Sequence, residues 1–272
     1  MEYSTEKVYE FHEHRIAKDV YGFRTALVNV VFVTGCGEQG DDWVLVDAGV
    51  PFSGGYILQS AKRLFGEKSK PRAIVLTHGH FDHVGGIQRI LKEWDVPVYA
   101  HKEELPYLTG KKNYLPPDPT VGRGIMTILS PLYPRKAINL GNQIHDLPPN
   151  GEIPEMPEWR WIHTPGHTPG HISLFREEDK MLLAGDAITT VKQESLHAVL
   201  YQTKEIHGPP AYFTPDWDNA ELSIQKLASL QPRIVYSGHG KPMAGGELHE
   251  GLVKLTKNAD EYVIPKHGKY VH

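Results

Sequence analysis

The sequence of 272 residues contains a single cysteine and no excess of positive charge. Because Cys36 has no second cysteine to pair with, an internal disulfide is excluded, and the chain fits a reducing compartment. We therefore expect a cytoplasmic protein. The formal net charge of −4 gives no basic footprint for nucleic acid, and we expect no nucleic-acid partner. No histidine lies beside Cys36, so a catalytic thiol is not expected either.

Long apolar runs are also absent. A membrane-spanning helix needs about 20 predominantly apolar residues, and the chain has no such stretch, so we expect no membrane partner. Residues 1–10 lack the basic region and apolar core of a secretory signal. With 40% hydrophobic and 23% charged residues, the composition is that of an ordinary globular protein. We expect its partner to be a small-molecule substrate.

The most informative stretch is residues 77–86, which read THGHFDHVGG. Four residues whose side chains can bind metal fall within six positions: His78, His80, Asp82 and His83. Imidazole and carboxylate suit borderline metals such as zinc. A β-branched run at 72–76 predicts a buried strand before this stretch, and the apolar spacing of 84–94 predicts a helix after it. Asp82 alone could be an N-cap, but three neighbouring histidines favour a metal site.

Strands and helices alternate along much of the chain, which predicts an α/β architecture. The predicted strands are 8–14, 25–33, 43–49, 72–76, 96–100, 159–163, 172–175, 181–184 and 233–237. Of these, 25–33 and 43–49 should form a hairpin. Helices are predicted at 56–65 with Ser53 as cap, at 84–94, at 219–230 with Asp218 as cap, and at 247–262.

Two long stretches show no sustained periodicity, and we predict irregular loops there. Residues 102–157 are dense in proline and glycine and are interpreted as an insertion near the site, and residues 190–217 form a second loop. Their apolar and aromatic side chains could line a substrate pocket or could be a satellite patch that anchors the loops. The pocket candidates are Tyr114, Met126, Tyr133, Tyr201 and Phe213.

Further ligand types follow other predicted strands. His167 lies in TPGHT after one strand, Asp186 lies in GD after another, and His239 lies in GHG after the last. Asp47 ends the strand at 43–49. Asp47 could cap a turn, or it could hold a metal-ligating histidine by the ring N–H that faces away from the metal. Both interpretations stay open.

Taken in order, these motifs resemble those of the metallo-β-lactamase superfamily. The resemblance rests on Asp47, THGHFDH at 77–83, TPGHT at 164–168, GD at 185–186 and GHG at 238–240, and it covers most of the chain. It implies a single domain over residues 1–272, built as a four-layer αβ/βα sandwich. In such a sandwich two mixed sheets lie face to face, with helices outside and the metal site at one edge.

The resemblance also implies a ligand set for two divalent ions, with zinc preferred and iron or manganese as alternatives. His78, His80 and His167 would bind one ion, and Asp82, His83 and His239 the other. Asp186 would bridge them. His171 is the nearest competitor of His167, but the family motif selects His167 and leaves His171, like Asp47, an outer or structural role.

The activity implied is that of a metallo-hydrolase in which a metal-bound hydroxide attacks an ester, thioester or lactone carbonyl. The carboxylate at 186 favours the two-metal branch similar to glyoxalase II and lactonases. Asp82 is the candidate catalytic residue, because it could orient the nucleophile as well as bind metal. Two alternatives are a mononuclear iron persulfide dioxygenase and a non-catalytic binding protein of the same fold.

Overall fold

The computed structural model describes residues 13–40, 42–122 and 124–271, which form two mixed β-sheets. The first sheet has seven strands in chain order: β1 Glu13–Ala17, β2 Val20–Thr25, β3 Val28–Cys36, β4 Asp42–Val46, β5 Ile74–Val75, β6 Val98–Ala100 and β7 Ile144–Asp146. The second has five, in the order β12-β11-β10-β9-β8: β8 Trp159–His163, β9 Ile172–Arg176, β10 Met181–Gly185, β11 Ile234–Ser237 and β12 Met243–Ala244.

The pairing between neighbouring strands of the first sheet changes once, from antiparallel to parallel. Strands β1 to β4 pair antiparallel, and β4 to β7 pair parallel. The predicted hairpin is therefore confirmed as β3 and β4, with Val31 opposite Val46. In the second sheet β10 and β11 are parallel, whereas the other pairs are antiparallel. Parallel neighbours end at the same edge of their sheet, so residues that follow them come close together.

The helices are mostly short and lie between the strands. They are α1 Gly54–Phe65, α2 Phe81–Val84, α3 Ile87–Leu91, α4 Leu105–Leu108, α5 Ile125–Leu129, α6 Leu196–Tyr201, α7 Trp217–Ser229, α8 Gly245–Lys257 and α9 Ala259–Tyr262. Among the residues that the structure describes, no helix combines the length and the apolar character needed to cross a membrane.

Side-chain alternation along the strands produces three apolar layers. In β10, Leu183 packs between the two sheets, and its neighbour Leu182 faces the helices on the outer side of the second sheet. The same outer layer includes Ile224 of α7 and Leu252 of α8. On the far side, Ile57 of α1 packs with the outer face of the first sheet. The order helix, sheet, sheet, helix confirms the predicted αβ/βα sandwich.

The helix predicted at 84–94 is wrong in extent. The chain turns into α2 already at Phe81, and α2 and α3 are separated by Gly85 and Gly86. Both glycine N–H groups bond to the loop after β4, at 2.8 Å to the Gly49 carbonyl and 3.0 Å to the Ala48 carbonyl. A Cβ on Gly85 would lie 2.1 Å from the Pro51 nitrogen. This close contact with the loop after β4 interrupts the helix.

Of the two predicted helix caps, one is confirmed in position and the other is wrong. Ser53 is the N-cap residue of α1, but its hydroxyl donates to the Val50 carbonyl at 2.7 Å and accepts no N–H from the helix. Helix α7 begins at Trp217, so its cap is Asp216, which accepts from the Asn219 N–H at 3.0 Å. Asp218 lies inside the first turn.

Several boundaries differ because short elements carry little periodic signal. The region 102–157 contains β7, which completes the first sheet, as well as α4 and α5, and the region 190–217 contains α6. Strand β2 was not predicted, and the helix predicted at 247–262 is broken at Asn258. Of the strand predicted at 8–14, residues 8–12 lie outside the described part of the chain, and residues 13–14 begin β1.

Candidate metal centre

Ligand-type side chains from four separate segments meet at one edge of the sandwich. The first sheet supplies the segment after β5, which contains His78, His80, Asp82 and His83. The second sheet supplies His167 from the β8–β9 loop, Asp186 from the end of β10 and His239 from the end of β11. The structure therefore brings together all seven residues that the sequence predicted as ligands.

The seven side chains form two groups joined by one carboxylate. His78, His80 and His167 each offer a ligand atom within 4.8 Å of the others, and so do Asp82, His83 and His239. Asp186 lies between these groups. One of its oxygens is 3.1 Å from His239 Nε2 and 3.5 Å from His167 Nε2, and the other is 3.4 Å from His83 Nε2.

Several polar atoms in this cluster are buried without a hydrogen-bond partner. They are His78 Nε2, His83 Nε2 and Asp186 Oδ1. A buried unsatisfied polar group costs about 1–3 kcal/mol, so native structures rarely leave one without a partner. Imidazole nitrogens and carboxylate oxygens are the donor atoms that zinc, iron and manganese take. A divalent cation in each group would therefore fit the residues present.

The electrostatics of the first group favour neutral rings. Burial, reinforced by the neighbouring histidines, lowers the pKa of His78 and of His167 well below the usual value and lowers the pKa of His80 to about 3. A histidine must be neutral to ligate a metal, so these rings are in the required state.

The second group is dominated by the charge of Asp186. Burial opposes a charge on His83, but the carboxylates of Asp186 and Asp47 outweigh burial and hold the pKa of His83 well above its usual value. Burial also opposes the charge on Asp186, yet the adjacent His239 and His83 hold its pKa well below the ordinary range. The buried carboxylate therefore stays charged, in a position suited to bridge two cations.

His83 and His239, the two histidines of the second group, are each held by a polar contact at Nδ1, the ring nitrogen that faces away from Asp186. Asp47 accepts from the Thr77 N–H and hydroxyl and lies 2.8 Å from His83 Nδ1. His239 Nδ1 lies 2.9 Å from the Leu27 carbonyl oxygen. Metal-ligating histidines characteristically have such partners. Of the two interpretations of Asp47, its contacts favour the histidine-holding one.

Neither ring nitrogen of His171 bonds to a side chain of the seven predicted ligands. Nε2 accepts the Asp186 N–H at 2.8 Å, and Nδ1 lies 2.9 Å from the Thr164 hydroxyl. This arrangement matches the outer position predicted for His171. Two other histidines pack together away from the cluster, where His101 stacks on His163 at 4.1 Å and His163 Nε2 donates to the Pro169 carbonyl at 2.8 Å.

The predicted pocket residues separate into three sets. Tyr114 and Phe213 contact the cluster directly, with ring centroids 4.5 Å and 4.9 Å from that of His80. Tyr133 and Met126 lie one layer further out, and the Tyr133 hydroxyl is 3.6 Å from the Met126 sulfur. Tyr201 instead lies on the surface of α6 with 66% of its area exposed and packs against His197. Substrate contact by any of them stays a prediction.

One residue at the site was missed by the sequence reasoning. Glu104 is fully buried beside the His80 and His167 loops, although it lies in the charged run 102–104, a pattern typical of a solvated surface. The available signal was its position after β6, the strand parallel to β5, because residues after parallel neighbours meet at one edge.

Comparison with known proteins agrees with the geometry. The family model of the metallo-β-lactamase superfamily matches residues 24–239. The probable metallo-hydrolase YflN of Bacillus subtilis (strain 168) is 50% identical over 240 residues, which cover 88% of this chain and 90% of YflN. A beta-lactamase domain protein from Burkholderia ambifaria is similar in structure, with a TM-score of 0.65 and 17% identity over 94% of this chain and 79% of its own. TTHA1623, solved in a di-iron-bound form, has a TM-score of 0.54 and 24% identity over 82% of this chain and 92% of its own.

Proposed function

Because this chain belongs to the metallo-β-lactamase superfamily, we propose that it is a metal-dependent hydrolase that acts on an ester, thioester or lactone carbonyl. The observation that carries the proposal is the pair of buried three-residue groups with Asp186 between them. The buried nitrogens His78 Nε2 and His83 Nε2, one in each group, lack a hydrogen-bond partner, which supports a metal ion at both groups.

The proposed division of ligands follows the two groups. His78, His80 and His167 would hold one divalent ion, Asp82, His83 and His239 would hold the other, and Asp186 would contact both. Bound there, divalent ions supply two kinds of chemistry, since they lower the pKa of water toward neutrality and polarise a carbonyl oxygen.

Asp82 is the proposed catalytic residue. Its side chain is 20% exposed, whereas those of His83, His239 and Asp186 are nearly inaccessible, so Asp82 is the carboxylate that substrate and water can reach. Burial raises the pKa of Asp82 against the opposing effect of His83 and His239, which makes it a better proton acceptor. We assign to Asp82 the orientation of the attacking water and the transfer of its proton to the leaving oxygen or sulfur.

The aromatic side chains near His80 favour a substrate that has an apolar group next to its carbonyl. The Phe213 ring lies between His80 and Phe81, at 4.9 Å and 6.4 Å, and Tyr133 is 5.9 Å from Phe81. Aromatic faces of this kind bind acyl or aryl groups by excluding water. Zinc is the proposed metal, and iron stays an alternative that the di-iron form of TTHA1623 supports.

A panel of ester, thioester and lactone substrates, assayed before and after chelation, tests the proposal together with elemental analysis. We expect turnover of at least one class, loss of turnover on metal removal, and recovery when metal is restored. The variant His239→Gln should lose turnover and one ion, whereas His249→Gln, on the exposed face of α8, should keep both.

The role of Asp82 requires a separate variant. When both sites are kept loaded by added metal, Asp82→Asn should lose about 100-fold or more in kcat, because positioned proton transfer contributes about 10²–10⁴-fold. Unchanged turnover at full metal content would show that Asp82 has no part in proton transfer. Oxygen consumption with a persulfide, in a protein with one iron and no esterase activity, would instead identify a dioxygenase.

A further inference from the structure

Glu104 joins the two loops that present the first group of histidines. It lies at the start of α4, after β6, and its side chain is completely buried. One oxygen, Oε2, accepts the Gly79 N–H at 2.9 Å and the Tyr114 hydroxyl. The other, Oε1, accepts the Thr168 hydroxyl at 2.7 Å and the Gly170 N–H at 2.9 Å.

The donors to Glu104 lie immediately beside proposed ligands. Gly79 separates His78 from His80, and Thr168 directly follows His167. The Glu104 carboxylate therefore connects a loop of the first sheet, bonded to Oε2, with a loop of the second sheet, bonded to Oε1. His80 Nδ1 and His167 Nε2, which these loops carry, lie 2.9 Å apart.

Close backbone packing makes this bridge rigid. A Cβ on Gly79 would lie 2.5 Å from the Tyr114 hydroxyl, and a Cβ on Gly170 would lie 2.6 Å from the Glu104 nitrogen. Four donors saturate the carboxylate, since an ionised carboxylate offers about four acceptor positions. Neither loop can therefore shift without breaking a buried hydrogen bond to a charged group.

The charge of Glu104 has no basic partner. Within the described ranges, no lysine or arginine forms an ion pair with it, and burial raises its pKa against the opposing effect of its four hydrogen bonds. A buried carboxylate without a cation is costly, and a nearby divalent ion would offset that cost. The position of Glu104 between the two loops thus favours a cation in the first group.

We propose that Glu104 is a positioning residue that sets the separation of His80 and His167 and thereby the affinity of the first group for its metal. The proposal rests on the proposed metal centre. It predicts that Glu104 affects the ion held by His78, His80 and His167 more than the ion held by Asp82, His83 and His239, since its partners Gly79 and Thr168 are direct sequence neighbours of first-group histidines.

Glu104→Gln tests the proposed positioning role. It preserves the shape of the side chain but replaces one acceptor oxygen with an NH₂ group, which would face the two donors that this oxygen now accepts. Stepwise zinc affinities, measured by competition with a chromophoric chelator, should fall by about 10–100-fold for one site and by less for the other, as outer partners of metal ligands generally show. Cobalt substitution should also change the absorption spectrum of the weakened site. Glu178→Gln, an exposed glutamate in the turn between β9 and β10, is the control and should leave both affinities unchanged.

Thr168→Val provides a second, milder variant in case Glu104→Gln does not fold. It removes one donor to Oε1 with little change in shape, and we expect a several-fold weaker first site in a folded protein. Unchanged affinities in a folded Glu104→Gln or Thr168→Val variant would refute the proposal. A wild-type protein that binds no metal would instead refute the proposed function, so the two failures are distinguishable.

Discussion

The variant Asp47→Asn removes the charge of Asp47 without disturbing its unusual backbone conformation, so it tests the role of the carboxylate alone. Asp47 has a φ of 62°, in the left-handed region that most residues avoid. Asparagine adopts this region about as readily as aspartate, so the substitution adds no backbone strain. Alanine at this position would combine strain with the loss of the side chain and would not isolate the hydrogen bonds.

The magnitude follows from three contacts. Asp47 Oδ1 accepts the Thr77 N–H at 2.8 Å, and Oδ2 lies 2.8 Å from both the Thr77 hydroxyl and His83 Nδ1. Asparagine can keep the first contact, but its NH₂ group then faces His83 and the Thr77 hydroxyl. Loss of the orienting partner should weaken metal binding by about 10–100-fold. The metal-free protein should lose about 2 kcal/mol, the usual contribution of a hydrogen bond to a charged group.

Two measurements on the same protein check these values. Zinc affinity is measured by chelator competition, and the free energy of unfolding is measured by urea titration of the metal-free form. The control is Asp216→Asn, because asparagine and aspartate are equivalent N-caps and α7 should be unaffected. If Asp47→Asn binds zinc as tightly as the wild type while retaining its fold, the assignment of Asp47 as the partner of a metal-ligating histidine is refuted.

Three further predictions concern other parts of the fold. Gly238→Ala should destabilise the protein by about 1–3 kcal/mol through overpacking and abolish metal binding, because the added Cβ would lie 2.1 Å from Asp186 Oδ1. Urea and metal titrations measure the two effects, and Gly246→Ala, whose Cβ would meet open space, should show neither. Cys36 should resist iodoacetamide at pH 8 until the protein unfolds, because burial raises the pKa of its thiol to about 12, and mass spectrometry would detect any modification. Burial next to His163 lowers the pKa of His101 to about 4, so the folded ring stays neutral while the unfolded chain takes up a proton below about pH 6.5. The metal-free wild type should therefore lose about 1–2 kcal/mol between pH 7 and pH 5 relative to His101→Gln, and equal pH profiles would contradict this.

Elements with strong local signals were predictable from the sequence. The continuous apolar runs of β3 and β4 and the periodic apolar faces of α1, α7 and α8 lie close to their predicted places. Two short elements, β7 and α6, were missed, because three and six residues are too few for a period to be recognised within an irregular segment. Their order comes from tertiary contacts, such as the pairing of β7 with β6.

At the site, the motifs and their order, through the resemblance to the metallo-β-lactamase superfamily, predicted which side chains of the two sheets would converge. They could not predict Glu104, whose burial depends on donors from Gly79 and Gly170, distant in sequence. Nor could they show that Tyr201 lies on the exposed surface of α6, because the path of the 190–217 segment depends on packing rather than on a local pattern.

The proposed function requires two divalent ions at this edge of the sandwich. Crystals of the protein loaded with zinc, measured on both sides of the zinc absorption edge, test this directly by anomalous scattering. We expect one peak on each side of Asp186, the first within ligand distance of His78, His80 and His167 and the second within ligand distance of Asp82, His83 and His239. A map from zinc-loaded protein with no peak at either group, or with zinc bound only elsewhere on the molecule, would contradict it.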